Sequence, residues 1–174
     1  TADWNEAVDK ADAVIVAVPS FMHRPVVERA IAQGKPVLCE KPVGLSAAEA
    51  GDLAQRASAA GIVHAVGFTY LRLPLIRYAK ELLAGGRLGR VVHAHGRHCE
   101  DYLADADAPH SWRLSAQTAG RCGALGDLGY HIIAILRYLC GPVVELSGLT
   151  ETFHSHRPVG APGGPLKAVE NEDY

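Results

Sequence analysis

Ala13-Val14-Ile15-Val16-Ala17-Val18-Pro19 is the stretch on which the reading of the fold turns. An apolar run this short, bounded by Asp12 and Pro19, reads as a strand buried on both faces, the kind that parallel sheets use. Arg24 to Ala32 follows as a helix, with Pro25 tolerated in its first turn and Gly34 as its stop. Pro36-Val37-Leu38-Cys39 reads as a second strand. Ser46 and Glu49 have the spacing of a capping box, opening a helix to about Ala60 that Gly61 closes. Ile62 to Gly67 reads as a third strand. Strand–helix–strand–helix–strand with tight connections predicts a parallel α/β sheet with right-handed crossovers. The pattern is the C-terminal half of a Rossmann-type sheet.

Ligands of open α/β sheets bind outside the carboxyl ends of the strands. Those ends carry Pro19-Ser20, Glu40-Lys41-Pro42 and Phe68-Thr69-Tyr70. Beyond residue 70 the pattern changes to α+β. Leu73 to Leu83 has an amphipathic stripe of Leu75, Ile76, Ala79, Leu82 and Leu83. Val91 to His98 is expected as a strand, 99–120 as a long polar loop, Leu125 to Leu139 as a helix, Val143 to Thr152 as a strand and 158–165 as a loop. The expected domains are therefore 1–68, a partial dinucleotide-binding sheet domain, and 69–174, a partial α+β domain with a predominantly antiparallel open sheet. The chain begins at Thr1 without a methionine and stops at Tyr174, which reads as a piece of a longer protein.

Composition narrows the function. The 174 residues are 48% hydrophobic and 21% charged, with a net charge of -2. That balance supports a packed core and gives no basic footprint for nucleic acid. No apolar run approaches the ~20 residues of a membrane span, and no signal-peptide pattern opens the chain. Cys39, Cys99, Cys122 and Cys140 are widely spaced, as in a reduced, cytoplasmic protein.

Three groups of residues could carry chemistry. Lys41 sits just past a buried strand, where desolvation would favour its neutral form and its ammonium could polarise a substrate oxygen. A solvated lysine in a turn is the plainer reading. Asp127 and His131 are four apart at a helix start, so they share a face. A carboxylate beside an imidazole suits a general base; a dipole-favoured carboxylate and a core histidine is the competing reading. Gly123, Gly126 and Gly129 around them weaken a helix by about 1 kcal/mol each, which a close approach of ligand or backbone would explain. His93, His95 and His98 form HxHxxH, but strand alternation puts only the first two on one face, so no metal site is expected. No G-x-G-x-x-G fingerprint occurs in the chain.

Two stretches carry a family resemblance. A-V-I-V-A-V-P-S-F-M-H with A-I-A-Q-G-K-P-V-L-C-E-K-P, over 13–42, and G-A-L-G-D-L-G-Y-H-I-I, over 123–133, closely resemble the glucose–fructose oxidoreductase/inositol dehydrogenase (Gfo/Idh/MocA) family. The E-K-P triplet and the D-x-G-x-H helix start, about 85 residues apart and in order, are the specific signals. The resemblance implies an oxidoreductase moving hydride between NAD or NADP and a hydroxyl-bearing carbon of a sugar, polyol or cyclitol. It implies Lys41, Asp127 and His131 as catalytic residues, with His131 taking the hydroxyl proton. Pro19, Ser20, His23, Glu40 and Lys41 would approach the cofactor. Tyr70, Arg72, Trp112 and Arg113 would border the substrate. It also implies a homo-oligomer built through the C-terminal sheet, with no nucleic-acid or membrane partner. The glycine-rich phosphate loop and the acidic ribose residue of the family are not in this sequence. Arg121-Cys122 interrupts a segment that is often all glycine, and Ala134 stands where relatives often have Asp. A non-catalytic dinucleotide-binding sensor of the same fold and a metal-dependent hydrolase or isomerase are the alternatives.

Overall fold

The computed structural model describes residues 3–173. They form two compact units, Thr1–Gly67 with Trp112–Arg121, and Phe68–Ser111 with Cys122–Tyr174. Residues 112–121 thus group with the first unit, although chain order would place them in the second.

The first unit is built on helix α1 (Trp4–Lys10), strand β1 (Val14–Val16), helix α2 (His23–Ala32), strand β2 (Val37–Cys39), helix α3 (Ala47–Ala59) and strand β3 (His64–Val66). The strands lie in the order β1-β2-β3 and are parallel, with Val14 opposite Val37 and Val37 opposite His64. Glu40 N to Val16 O and Gly67 N to Cys39 O carry the ladder one residue past β2 and β3. Both helices end in the same way. Gly34 and Gly61 take φ of +64°, so the chain reverses and donates back to the last turn (Lys35 N to Ala30 O, Ile62 N to Ala57 O) before entering the next strand.

Val14, Val16, Val37 and Cys39 pack beneath Val8, Val26, Val27, Ala30 and Leu53. Each fully buried Val or Leu stabilises by about 1.5–3 kcal/mol. The opposite face of the sheet is open: Ile15 is 75% exposed and Leu38 40%. The expected burial on both faces is therefore corrected to one, because all three helices cover the same side. Helix α1 was not expected from the apolar pattern. Its signal is the cap, since Asp3 accepts the Asn5 N–H at 2.9 Å and Glu6 follows three residues on. Ser46 caps α3 through the Glu49 N–H as expected, but the Glu49 carboxylate reaches the Leu45 N–H rather than that of Ser46.

The second unit holds a 3-10 turn at Thr69–Arg72, helix α4 (Pro74–Ala84), a helix spanning Leu125–Cys140, and strands β4 (His156–Pro158) and β5 (Leu166–Ala168). The first unit's segment 112–121 contributes a 3-10 turn at Trp112–Leu114 and one helical turn, α5 (Ala116–Ala119), within the expected loop. The helix after Leu125 opens as a π turn over Leu125–Gly129 and becomes α-helical, α6, over Tyr130–Cys140.

Two expected strands are corrected. Residues 91–98 and 143–152 have no strand pairing among the described residues. A strand needs a partner ladder, and 91–98 instead passes over α6, where Gly96 lies so close to Ile132 that a Cβ would overlap its side chain. The antiparallel pair is β4–β5, which flanks the predicted loop. Among the described residues no helix is long and apolar enough to cross a membrane.

Candidate functional site

In the first unit the candidate residues sit at the carboxyl ends of β1 and β2. Pro19 leads into a 3-10 turn at Ser20–Met22, and Ser20 is buried. His23 is 1% exposed, and its ring bridges two carbonyls, Pro42 O at 2.7 Å from Nδ1 and Val18 O at 2.8 Å from Nε2. A ring so occupied ties the loop after β1 to the loop after β2; it is a scaffold for the rim. Glu40 folds over Gly67, its carboxylate filling the space a Cβ would take. The missing side chain at 67 is thus what lets Glu40 lie there. Lys41 follows, half-buried, with its own N–H on Glu40 Oε2 at 3.3 Å and a cis bond to Pro42.

Cys39, directly before this rim, is 2% exposed, and its thiol is pushed up to about 12 by burial and by the nearby Glu40 charge. It is a core residue. Trp112 and Arg113 also belong to this unit, with the guanidinium 4.6 Å from the indole centroid, a cation–π pair. Trp112 O accepts the Thr118 hydroxyl, which ties the 3-10 turn to α5.

In the second unit the site gathers around the start of α6. The His131 ring forms a T-shaped pair with Tyr70, centroids 4.5 Å apart, and its centroid lies 5.8 Å from that of His98. Tyr70 and His98 are 5.7 Å apart, closing a triangle of rings. His98 Nε2 lies 3.3 Å from Glu100 Oε1. Asp127, one turn before His131, accepts the Tyr102 hydroxyl at 2.8 Å. Arg72 ends the 3-10 turn that carries Tyr70 and is exposed.

The glycines around Asp127 have a structural explanation. A Cβ on Gly123 would stand 2.1 Å from Glu172 O, and one on Gly129 would strike Leu125. At Gly123 the close approach is by backbone, as one of the two expectations had it, whereas at Gly126 and Gly129 it is by the side chains of Cys122 and Leu125. Glu172 caps the helix: its carboxylate accepts the N–H groups of Gly123 at 2.7 Å and Leu125 at 2.8 Å, and its carbonyl that of Ala124. The carboxylate that caps the N–H groups at this helix start is therefore Glu172, while Asp127, in the first turn, accepts the Tyr102 hydroxyl.

Sequence reading missed His98 as a neighbour of His131, and Tyr102 and Glu172 altogether. His98 stood in the HxHxxH motif, but strand alternation separated it from the others. Without that strand, the chain turns His98 toward Tyr70 and His131. Among the described residues no three His, Cys, Asp or Glu side chains converge as a metal-ligand set.

Comparison with known proteins fits this geometry. Residues 1–68 match the oxidoreductase family, NAD-binding Rossmann fold, and residues 76–174 match the GFO/IDH/MocA C-terminal domain. The chain is 33% identical over 165 residues to levoglucosan dehydrogenase of Pseudarthrobacter phenanthrenivorans, covering 94% of this chain and 42% of that one. It is 32% identical over 170 residues to glucose-6-phosphate 3-dehydrogenase of Bacillus subtilis, covering 98% and 47%. A solved levoglucosan dehydrogenase in complex with NADH and L-sorbose superposes with a TM-score of 0.95 at 32% identity, over 99% of this chain and 46% of that one. The chain thus spans about half the length of the relatives it matches.

Proposed function

The chain belongs to the Gfo/Idh/MocA family, and from that premise we propose that it forms part of an NAD- or NADP-dependent oxidoreductase. Its substrate is a sugar, polyol or cyclitol, oxidised or reduced at a carbon bearing a hydroxyl. The observation that carries this reading is the placement of Asp127 and His131 on one turn. Asp127 is oriented by Tyr102, and His131 is packed against Tyr70.

The residues present fit one part of a dinucleotide. Lys41 and the main chain after β1 offer donors of the kind that carboxamide and ribose hydroxyls accept. The glycine-rich pyrophosphate cradle is not in this sequence. Pro19, Ser20, Glu40 and Lys41 are the residues assigned to the cofactor side, with His23 holding their loops. A bound nicotinamide supplies the hydride acceptor in the oxidative direction.

The chain's own residues handle the hydroxyl and its proton. Lys41 donates a hydrogen bond to the reacting oxygen, stabilising negative charge as it develops there. His131 takes the hydroxyl proton at an imidazole nitrogen, which requires a neutral ring. Asp127 accepts from a neighbouring substrate hydroxyl and keeps His131 oriented. Tyr70 and Arg72 border the sugar, and Trp112 and Arg113 are assigned to the same role.

The unjoined thiols fit a reducing compartment, and the cytoplasm is the proposed location. Val144, Leu146 and Leu149, all more than 80% exposed, support association of copies through this C-terminal region.

The test is NAD+ or NADP+ reduction by the full-length protein with levoglucosan, glucose 6-phosphate and myo-inositol, alongside a dinucleotide titration. Turnover with one of them is expected. Dinucleotide binding without turnover on any would favour the sensor reading.

A further inference from the structure

Arg157, the middle residue of β4, is 0% exposed and is the largest of the fully buried side chains among the described residues. No described carboxylate pairs with it. Its guanidinium is instead taken up by backbone carbonyls of one segment. Nη2 donates to Leu103 O at 2.6 Å, and Nη1 donates to Asp105 O at 2.6 Å and reaches Ala108 O at 3.5 Å. The same hairpin holds the far end of that segment, where His110 N donates to Pro158 O and the His110 ring lies 3.1 Å from Ala168 O.

Residues 101–110 have no helix or strand of their own, only local turns such as Ala104 N to Asp101 O and Ala108 N to Asp105 O. Their path is therefore set by what grips their carbonyls. A guanidinium's planar fork fixes two acceptors at once, which an ammonium does not. Tyr102 immediately precedes Leu103, the carbonyl bound by Nη2. Its side chain is half exposed, so packing alone does not aim it, yet its hydroxyl donates to Asp127 Oδ2 at 2.8 Å.

We propose that Arg157 is a positioning residue for the site: it fixes the 103–108 backbone so that the Tyr102 hydroxyl stays on Asp127 and holds that carboxylate in place beside His131. This rests on the reading of Asp127 as a substrate-site carboxylate.

The test is a double-mutant cycle in the full-length protein, using whichever of the three sugars above it turns over fastest. Tyr102→Phe removes the bond to Asp127, and Arg157→Lys keeps the charge but loses the fork. A hydrogen bond to a charged group is worth enough that each is expected to lower kcat/KM by about tenfold. The double variant is expected to fall no further than the weaker single variant, since both act through one bond. A purely structural Arg157 would instead lower thermal stability and multiply with Tyr102→Phe. Hydrogen exchange gives a second reading: Arg157→Lys is expected to speed exchange at Ala104 and Ala108, and Tyr102→Phe to leave them protected. Multiplied losses, or unchanged exchange in Arg157→Lys, would overturn the proposal. Asp127→Asn separates the two levels. If it keeps wild-type rates, the site reading has failed and the proposal falls with it. If it is impaired while Tyr102→Phe is not, the site reading stands and the proposal alone is overturned.

Discussion

The rings of Tyr70 and His131 form a T-shaped pair, with centroids 4.5 Å apart and planes inclined at 61°. Such a pair holds an imidazole in one orientation and contributes about 0.5–1.5 kcal/mol beyond burial. Tyr70→Phe keeps the ring and is expected to hold kcat within about threefold of wild type. Tyr70→Leu removes the pair and is expected to lower kcat by about tenfold, the upper end of that range. Steady-state kinetics on the two variants checks it; equal losses would show that the hydroxyl, not the ring, matters.

Glu172 ties the 170–173 segment to the start of the helix that carries Asp127 and His131. Replacing it with Ala leaves the N–H groups of Gly123 and Leu125 without their carboxylate partner. A loss of about 1–2 kcal/mol is expected, the usual range for a helix cap. Denaturant unfolding measures it. Gly123→Ala is expected to do at least as much, because the new Cβ meets Glu172 O at 2.1 Å.

Leu53 is 1% exposed and sits where α3 meets the sheet. Leu53→Ala is expected to destabilise the protein by about 2–5 kcal/mol, the range for large-to-small changes in a core. The same denaturation experiment reads it, and a loss below about 1 kcal/mol would mean that the core collapses into the space.

Cys39 gives a pH-dependent prediction. Burial first, and the Glu40 charge second, raise its thiol from an ordinary value of 9.0 to about 12. The unfolded chain loses this proton at lower pH than the native one. Above about pH 9 the native state therefore binds more protons, and stability falls as pH rises toward 12. Cys39→Val is expected to flatten that part of the profile. In native protein at pH 8, alkylation is expected at Cys99, Cys122 and Cys140, which are exposed, and not at Cys39.

The parallel sheet was legible because local signals agreed. Short apolar runs at 13–18 and 36–39, the Ser46 cap and the glycine stops each pointed to the same β1–α2–β2–α3–β3 order. What failed was any reading that depended on partners distant in sequence. Val91 to His98 and Val143 to Thr152 alternate like strands, yet nothing in their own residues says whether another strand lies beside them. The opposite failure was Ile15, where an apolar run implied a second cover that the helices do not give. In the site, Asp127 and His131 were visible from their spacing. Tyr102, Glu172 and Arg157 were not, because each acts across a long sequence separation: 25 residues for Tyr102 to Asp127 and 54 for Arg157 to Leu103.

The central claim is that His131 carries the proton of a sugar hydroxyl, and His131→Ala in the full-length protein tests it most directly. Its kcat in NAD(P)+-dependent oxidation of the preferred sugar is expected to fall by about 10²–10⁴, the range for losing a general base. Dinucleotide affinity, measured by titration, is expected to stay within about threefold of wild type, since the residues assigned to the cofactor lie on the other unit. A variant with near-normal kcat would contradict the account, and one that lost dinucleotide binding instead would show His131 to be a binding residue.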